Sequence, residues 1–299
     1  MTFDRTIPGG RSLGSQTALM SVLEGKAVVV TGAGRGLGRA SALHAAACGA
    51  AVVVNDIDGQ PADEVVSLIE SAGGRAVTSV GSVVDPEVAL AAIRRCVAEF
   101  GRIDGLVNNA GVRYQAPVWK DTPERMRELI DVNVLGSLHC GSAAARAMRD
   151  QGTGSIVNMA SLAMVGQRTA ATYSASKGAV SSMTVAWAEE LAEHGVRVNG
   201  VFPLAHTRMA QADTRTPAPH EETPERIAPI VTYLLSDLAK AVTGQLIRFT
   251  ANKVHIVRQI SAKEPVLRNE GWDVHDIAEA FDNHLHAALE PPPSQRWTR

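Results

Sequence analysis

Residues 28–40 read VVVTGAGRGLGRA: three valines, then glycines at 32, 34, 36 and 38, then an alanine-rich stretch. The valines have the character of a buried strand, because β-branched side chains pack well on a pleated surface. The Ala-rich continuation favours helix. A connection that places four glycines between them needs backbone freedom and the absence of Cβ atoms, so that a bound group can approach closely. The N-terminus of the following helix adds free N–H groups and a partial positive charge, both of which favour an anion. Gly32, Arg35, Gly36, Leu37 and Gly38 are therefore candidate contacts to the phosphates of a nucleotide. Any strand-to-helix reversal can use glycine, so the turn needs support from the rest of the chain.

That support begins with the alternation that follows. Short Val and Ile runs at 27–30, 51–55, 75–80, 105–108, 155–159, 196–202 and 246–249 alternate with helical stretches. The helices are expected at 37–48, 61–72, 86–100, a long pair over 124–149, 172–194 and 224–236. Pro61, Pro86 and Pro224 fall in first turns, where a missing N–H is tolerated. The pattern is that of an α/β fold, a doubly wound sheet of seven parallel strands. An irregular N-terminal arm, 1–21, precedes it, and a C-terminal extension, 251–299, follows it with one amphipathic helix expected at 274–289. With 45% hydrophobic but only 4% aromatic residues, the core must consist of Ala, Val and Leu in thin layers.

A net charge of −2 gives no electrostatic reason to expect nucleic acid or an anionic membrane as partner. No apolar run reaches the roughly 18 residues of a membrane span, and Cys48, Cys96 and Cys140 are too scattered for a disulfide framework or a metal site. A cytoplasmic location is expected. His284 and His286 stand two apart, pointing to different faces of a helix, and are not expected to hold a metal.

Asp56 ends the second strand eighteen residues after Gly38, close to the spacing of an acid that binds the adenosine ribose. Its carboxylate would accept from the ribose hydroxyls and repel a 2′-phosphate, which selects NAD; its other reading is a helix N-cap. Arg35 in the turn could instead bind that phosphate, so NADP is the rival cofactor. Further along, Tyr173 and Lys177 in ATYSASKGAV lie four apart and stack on one helix face. Free tyrosine is a poor base at neutral pH, and a neighbouring ammonium favours its phenolate.

The order and spacing of TGxxxGxG (Thr31, Gly32, Gly36, Gly38), NNAG at 108–111 and YxxxK at 173–177 resemble the short-chain dehydrogenase/reductase family over residues 22–250. The VVVND ending of the second strand and the long tail are similar to the dehydrogenase part of bifunctional 3-hydroxyacyl-CoA enzymes. The resemblance implies a Rossmann-type single domain over 22–250, a nicotinamide cofactor and a homodimer or homotetramer. It also implies a catalytic set of Asn133, Ser161, Tyr173 and Lys177. Asn109, Ala110 and Gly111 would lie beside the adenosine ribose, and Thr207 would hold the nicotinamide carboxamide. Asn199 would be mainly structural, and Tyr173 and Lys177 would also contact the cofactor.

The chain departs from the family pattern in four places. Ser82 and Val83 replace the Asp-hydrophobe pair that flanks adenine, and Pro203-Leu204 replaces Pro-Gly beside the nicotinamide. The segment 204–223 is short for a substrate lid, and RFTANK replaces the usual Asp-Gly-Gly ending. The helix at 274–289, with Val274, Ile277, Ala278, Phe281 and Leu285 on one face, is expected to pack on a neighbouring subunit and help close its site. By family position Arg113 and Arg168 would lie near the entrance, either to meet a phosphate or carboxylate or as solvated loop residues. The expected activity is NAD-dependent oxidation of a secondary alcohol, with a 3-hydroxyacyl thioester or steroid-like alcohol as substrate class. The rival readings are an NADP-dependent ketoreductase and a non-catalytic cofactor-binding scaffold.

Overall fold

The computed structural model describes residues 21–207, 220–250 and 252–290. The expected N-terminal arm, apart from its last residue, lies outside them, as does residues 208–219 of the expected lid.

The valine runs form β1 (Ala27–Thr31) and β2 (Ala51–Asp56), buried along their whole length. With β3 (Arg75–Val80), β4 (Gly105–Asn108), β5 (Gly154–Met159), β6 (Val196–Pro203) and β7 (Leu246–Thr250), they make a parallel sheet in the order 3-2-1-4-5-6-7. The order reverses between β1 and β4, where a crevice opens at the carboxyl ends of the strands.

The crossover helices are α1 (Gly36–Ala47), α2 (Gly59–Ser71), α3 (Pro86–Phe100), α4 (Pro123–Ile130), α5 (Gly136–Gln151), α6 (Ala171–Leu191) and α7 (Pro224–Leu235). Period-two alternation divides the valines of β1 between two cores. Val28 and Val30 join Val65, Ile69, Ile227 and Leu234 on the α1, α2 and α7 face. Val29 joins Ile93, Leu106, Met148 and Val198 on the α3 and α5 face. Helices cover both faces, so these strands carry unbroken apolar runs.

Two expectations change. The sheet has eight strands rather than seven, because β8 (Lys253–Ile256) pairs antiparallel with β7, Thr250 opposite Lys253. KVHI is short and exposed on every residue, so no buried apolar pattern announced it. The C-terminal helix is regular only over α8 (Val274–Ala280), then passes through a π turn and a 3-10 turn. Its N-terminus is set by a capping box between Asp273 and Asp276.

Candidate active site

The glycine turn connects β1 to α1 as its composition requires. Gly32 and Gly36 adopt φ of +61° and +56°, a region open to glycine at little cost. Gly38 is needed for packing: a Cβ there would stand 2.2 Å from Gly32 O and 2.5 Å from Asn109 Nδ2. Asn109 in turn donates from Nδ2 to the carbonyls of Thr31 (2.9 Å) and Gly32 (3.0 Å), and its backbone N–H donates to Thr31 Oγ1. The NNAG segment, with Ala110 and Gly111, is thus tied to the turn across the β1–β4 crevice. Ala110 N–H also donates to Thr31 Oγ1.

Asp56 is buried at the end of β2 with Oδ2 accepting from Gly34 N–H at 2.8 Å and Oδ1 from Asp58 N–H at 3.1 Å. The residue at the N-cap of α2 is Asp58, so the capping alternative for Asp56 falls away. Asp58 also holds Arg35 in an ion pair at the surface, which raises the guanidinium's affinity for its proton and turns it toward a carboxylate.

The remaining turn contacts sit as follows. Leu37 packs partly buried against the core. A Cβ at Gly36 would meet only Thr207 Cγ2, at 3.9 Å, so the turn forms an open cradle with Thr207 beside it. Ser82 accepts from Val84 N–H, and Val83 buries its side chain against Gly136 of α5. Ser82, Val84, Asp131 and Val132 are among the walls of a surface cavity of about 540 Å³. Pro203 closes β6 opposite Phe249, and Leu204 N–H donates to Phe249 O.

The four residues of the expected catalytic set converge. Tyr173 and Lys177 are both buried on α6. Ser161 follows the end of β5, and its hydroxyl acts on the buried Tyr173 phenol. Burial pushes the phenol's pKa up, while the Arg113 charge and the Ser161 hydrogen bond pull it down. Lys177 Nζ donates to Met159 O at 2.6 Å and lies 5.9 Å from the Tyr173 ring centroid. Burial lowers its pKa to about 8.

Asn133 sits in a π-helical turn (Asp131–Leu135) between α4 and α5. Its Oδ1 accepts from Val112 N–H (2.8 Å), and its Nδ2 donates to Val112 O (2.9 Å) and to Ser176 Oγ (3.1 Å). Asn199 donates to Val242 O and accepts from Gln245 N–H, which fixes the turn before β7. One partner, Ser176, was not expected from the sequence, and another, Arg113, was expected in a different role. Ser176, three residues after Tyr173, joins Asn133 to α6, and Arg113 lies over the Tyr173 ring with Cζ 5.2 Å from its centroid. Arg113 was visible as a charge near the entrance, but only folding places it on the ring.

The residues present suit a dinucleotide: an open glycine cradle at a helix N-terminus, a buried carboxylate at its side and a Tyr–Lys–Ser cluster at the far end. A family model described as short chain dehydrogenase matches residues 26–218. The chain belongs to that family.

An uncharacterized oxidoreductase of Methylorubrum extorquens is 40% identical over 243 residues, 76% of this chain and 97% of that protein. The peroxisomal hydratase-dehydrogenase-epimerase of Saccharomyces cerevisiae is 37% identical over 225 residues, 72% of this chain but 25% of the yeast protein. A solved structure of a short chain dehydrogenase from Mycobacterium avium superposes with a TM-score of 0.83 at 33% identity, covering 92% of this chain and 99% of that one. As a member of the short-chain dehydrogenases, the chain is an NAD(P)-dependent oxidoreductase of alcohol or ketone substrates. Among the described residues no helix is long and apolar enough to cross a membrane.

Proposed function

We propose that the protein is an NAD-dependent oxidoreductase that transfers hydride between the nicotinamide and a secondary alcohol or ketone. The observation that carries the cofactor choice is Asp56. Its buried carboxylate faces the glycine turn through Gly34 N–H, while Arg35, the candidate for a 2′-phosphate, is drawn to Asp58. A carboxylate here accepts from ribose hydroxyls and repels a phosphate.

A bound nicotinamide supplies the carbon that accepts or releases hydride. The residues of the chain handle the proton and the oxygen. Tyr173 exchanges the proton of the substrate hydroxyl, and Ser161 donates to the substrate oxygen as carbonyl character develops. Lys177, anchored on Met159 O, holds the ribose hydroxyls and adds positive charge beside the phenol. Asn133 braces Val112 and positions a water that relays the proton outward. Asn109, Ala110 and Gly111 border the ribose, and Ser82, Val83, Pro203 and Thr207 line the adenine and nicotinamide ends.

The likeness to the yeast hydratase-dehydrogenase-epimerase supports testing hydroxyacyl thioesters first, then steroid-like alcohols. The reading includes a homodimer or homotetramer in the cytoplasm. It is supported by three buried free cysteines and by apolar surface left on the C-terminal segment, where Val274 is 80% exposed.

The test is a parallel titration with NADH and NADPH, following nicotinamide fluorescence, for wild type and Asp56→Ala, with turnover of a secondary-alcohol panel by wild type and Tyr173→Phe. Tighter NADH binding that loses its preference in Asp56→Ala, with turnover lost in Tyr173→Phe, is the expected result. A preference for NADPH in the wild type moves the reading to ketone reduction, and binding without any turnover moves it to a scaffold.

A further inference from the structure

Arg113 occupies a place that neither the glycine turn nor the Tyr–Lys spacing explains. It follows directly on a clamped backbone, since Asn133 holds both the N–H and the carbonyl of Val112. Its guanidinium donates from Nη2 to Gln167 Oε1 at 3.3 Å. Gln167 is itself fixed to α6, its backbone N–H donating to Ser174 Oγ at 3.0 Å, one residue from Tyr173. A second strap joins the same two loops, Ala116 N–H donating to Thr169 O at 2.8 Å. The guanidinium is therefore positioned over the Tyr173 ring from both sides, 5.2 Å from its centroid.

We propose that Arg113 is a positioning residue for the reaction, the permanent positive charge that stabilises the Tyr173 phenolate. The inference rests on the reading of Tyr173 as the acid and base of the site. Lys177, together with a cationic nicotinamide, was expected to favour the phenolate, but Lys177 is farther from the ring, bound to Met159 O, and its buried ammonium holds its proton only up to about pH 8. A guanidinium stays charged throughout that range.

The other groups around the phenol do not replace it. On the same loop, Tyr114 packs beside Tyr173 and is engaged with Glu128 and Arg125 of α4. Asp121 accepts from Thr172 Oγ1, and Arg168 stands on the loop before α6. From β5 comes the neutral Ser161 hydroxyl, and from α6 itself Lys177.

The experiment uses the full-length protein with NAD bound and tyrosine labelled with 13C at Cζ. The chain has only three tyrosines, and Tyr173→Phe assigns the signal of interest. The Tyr173 titration is followed in wild type, Arg113→Gln and Arg113→Lys, beside the pH profile of kcat/KM for alcohol oxidation. Loss of the cation should raise the Tyr173 midpoint by about one pH unit or more and move the acidic limb of kcat/KM upward by the same amount. Arg113→Lys should fall between the two, with NADH affinity unchanged. If Arg113→Gln fails to fold by circular dichroism, Arg113→Lys against wild type carries the comparison.

An unmoved midpoint in a folded variant overturns the proposal. A rise in KM confined to anionic substrates, with an unmoved pH profile, overturns it in favour of a substrate anchor. Retained turnover in Tyr173→Phe marks a different failure, that of the acid-base reading itself.

Discussion

Asp56 Oδ2 accepts the Gly34 N–H at 2.8 Å, so the acid that ends β2 is part of the glycine turn it faces. A Cβ at Gly34 would stand 2.9 Å from that same oxygen, so the two residues depend on each other. Asp56→Asn keeps an oxygen for Gly34 but removes the charge. We expect the ratio of NADH to NADPH affinity to fall by about tenfold, the worth of one charge-assisted hydrogen bond. Fluorescence titration with the two nucleotides measures it.

Gly38→Ala places a methyl group against Gly32 O and the pinned Asn109 amide, neither of which can move without breaking the turn. The expected cost is about 2–4 kcal/mol of folding stability, with NADH binding lost in the protein that still folds. Urea unfolding and nucleotide titration on the same sample test both parts.

Asp104 lies at the opposite end of the sheet from the site. Its carboxylate accepts the Ala27 N–H at the start of β1 (2.9 Å) and a two-pronged contact from Arg102. Arg102 is partly exposed and can be rehydrated, but the Ala27 N–H is buried. Asp104→Ala should lower stability by about 1–3 kcal/mol, the cost of an orphaned buried donor. NADH affinity at temperatures where the variant is folded should be unchanged, and a selective loss of NADH binding would contradict the assignment.

Lys177 gives stability a pH dependence. Burial lowers its pKa to about 8, below the usual 10.5 of a free lysine. Between these values the unfolded chain binds more protons than the folded one, so stability from this group rises with pH over that window. Below about pH 8 the buried charge opposes folding in full. Lys177→Met removes the effect, and the wild-type advantage over it should grow from pH 8 toward 10 by an amount on the order of 1–3 kcal/mol. Tyr173 acts in the opposite sense above its usual pKa of about 10, because unfolding then releases a proton, and keeping the comparison at or below about pH 10 keeps that contribution small. Chemical denaturation of both proteins across the window provides the measurement.

The strands and helices from β1 to β7 were legible because each buried strand must be apolar on both faces and each crossover helix begins with a recognisable turn. Two elements were not legible. β8 is an exposed four-residue strand whose pairing depends on β7 being there to receive it. The end of the C-terminal helix loosens after Ala280, where apolar residues such as Phe281 remain 45% exposed and no packing enforces regular geometry. In the site, the glycines, Tyr173 and Lys177 could be picked out from spacing because each acts next to its neighbour in the chain or across one helical turn, and Asp56 from its distance after Gly38, although the group it meets, Gly34 N–H, lies 22 residues away.

What the sequence determined by itself was local: a turn that only glycine can make, a strand end that presents an acid, and a phenol one helical turn from an ammonium. Tertiary structure decided which charges those groups meet. It drew Arg35 to Asp58, anchored Lys177 on Met159 O, and brought Arg113 over Tyr173 through Asn133, Gln167 and Ser174. The reason is one of distance. Electrostatic partners act over a few ångströms in space, and Arg113 and Tyr173, sixty residues apart in the chain, become neighbours only when the loops after β4 and before α6 close over the end of the sheet.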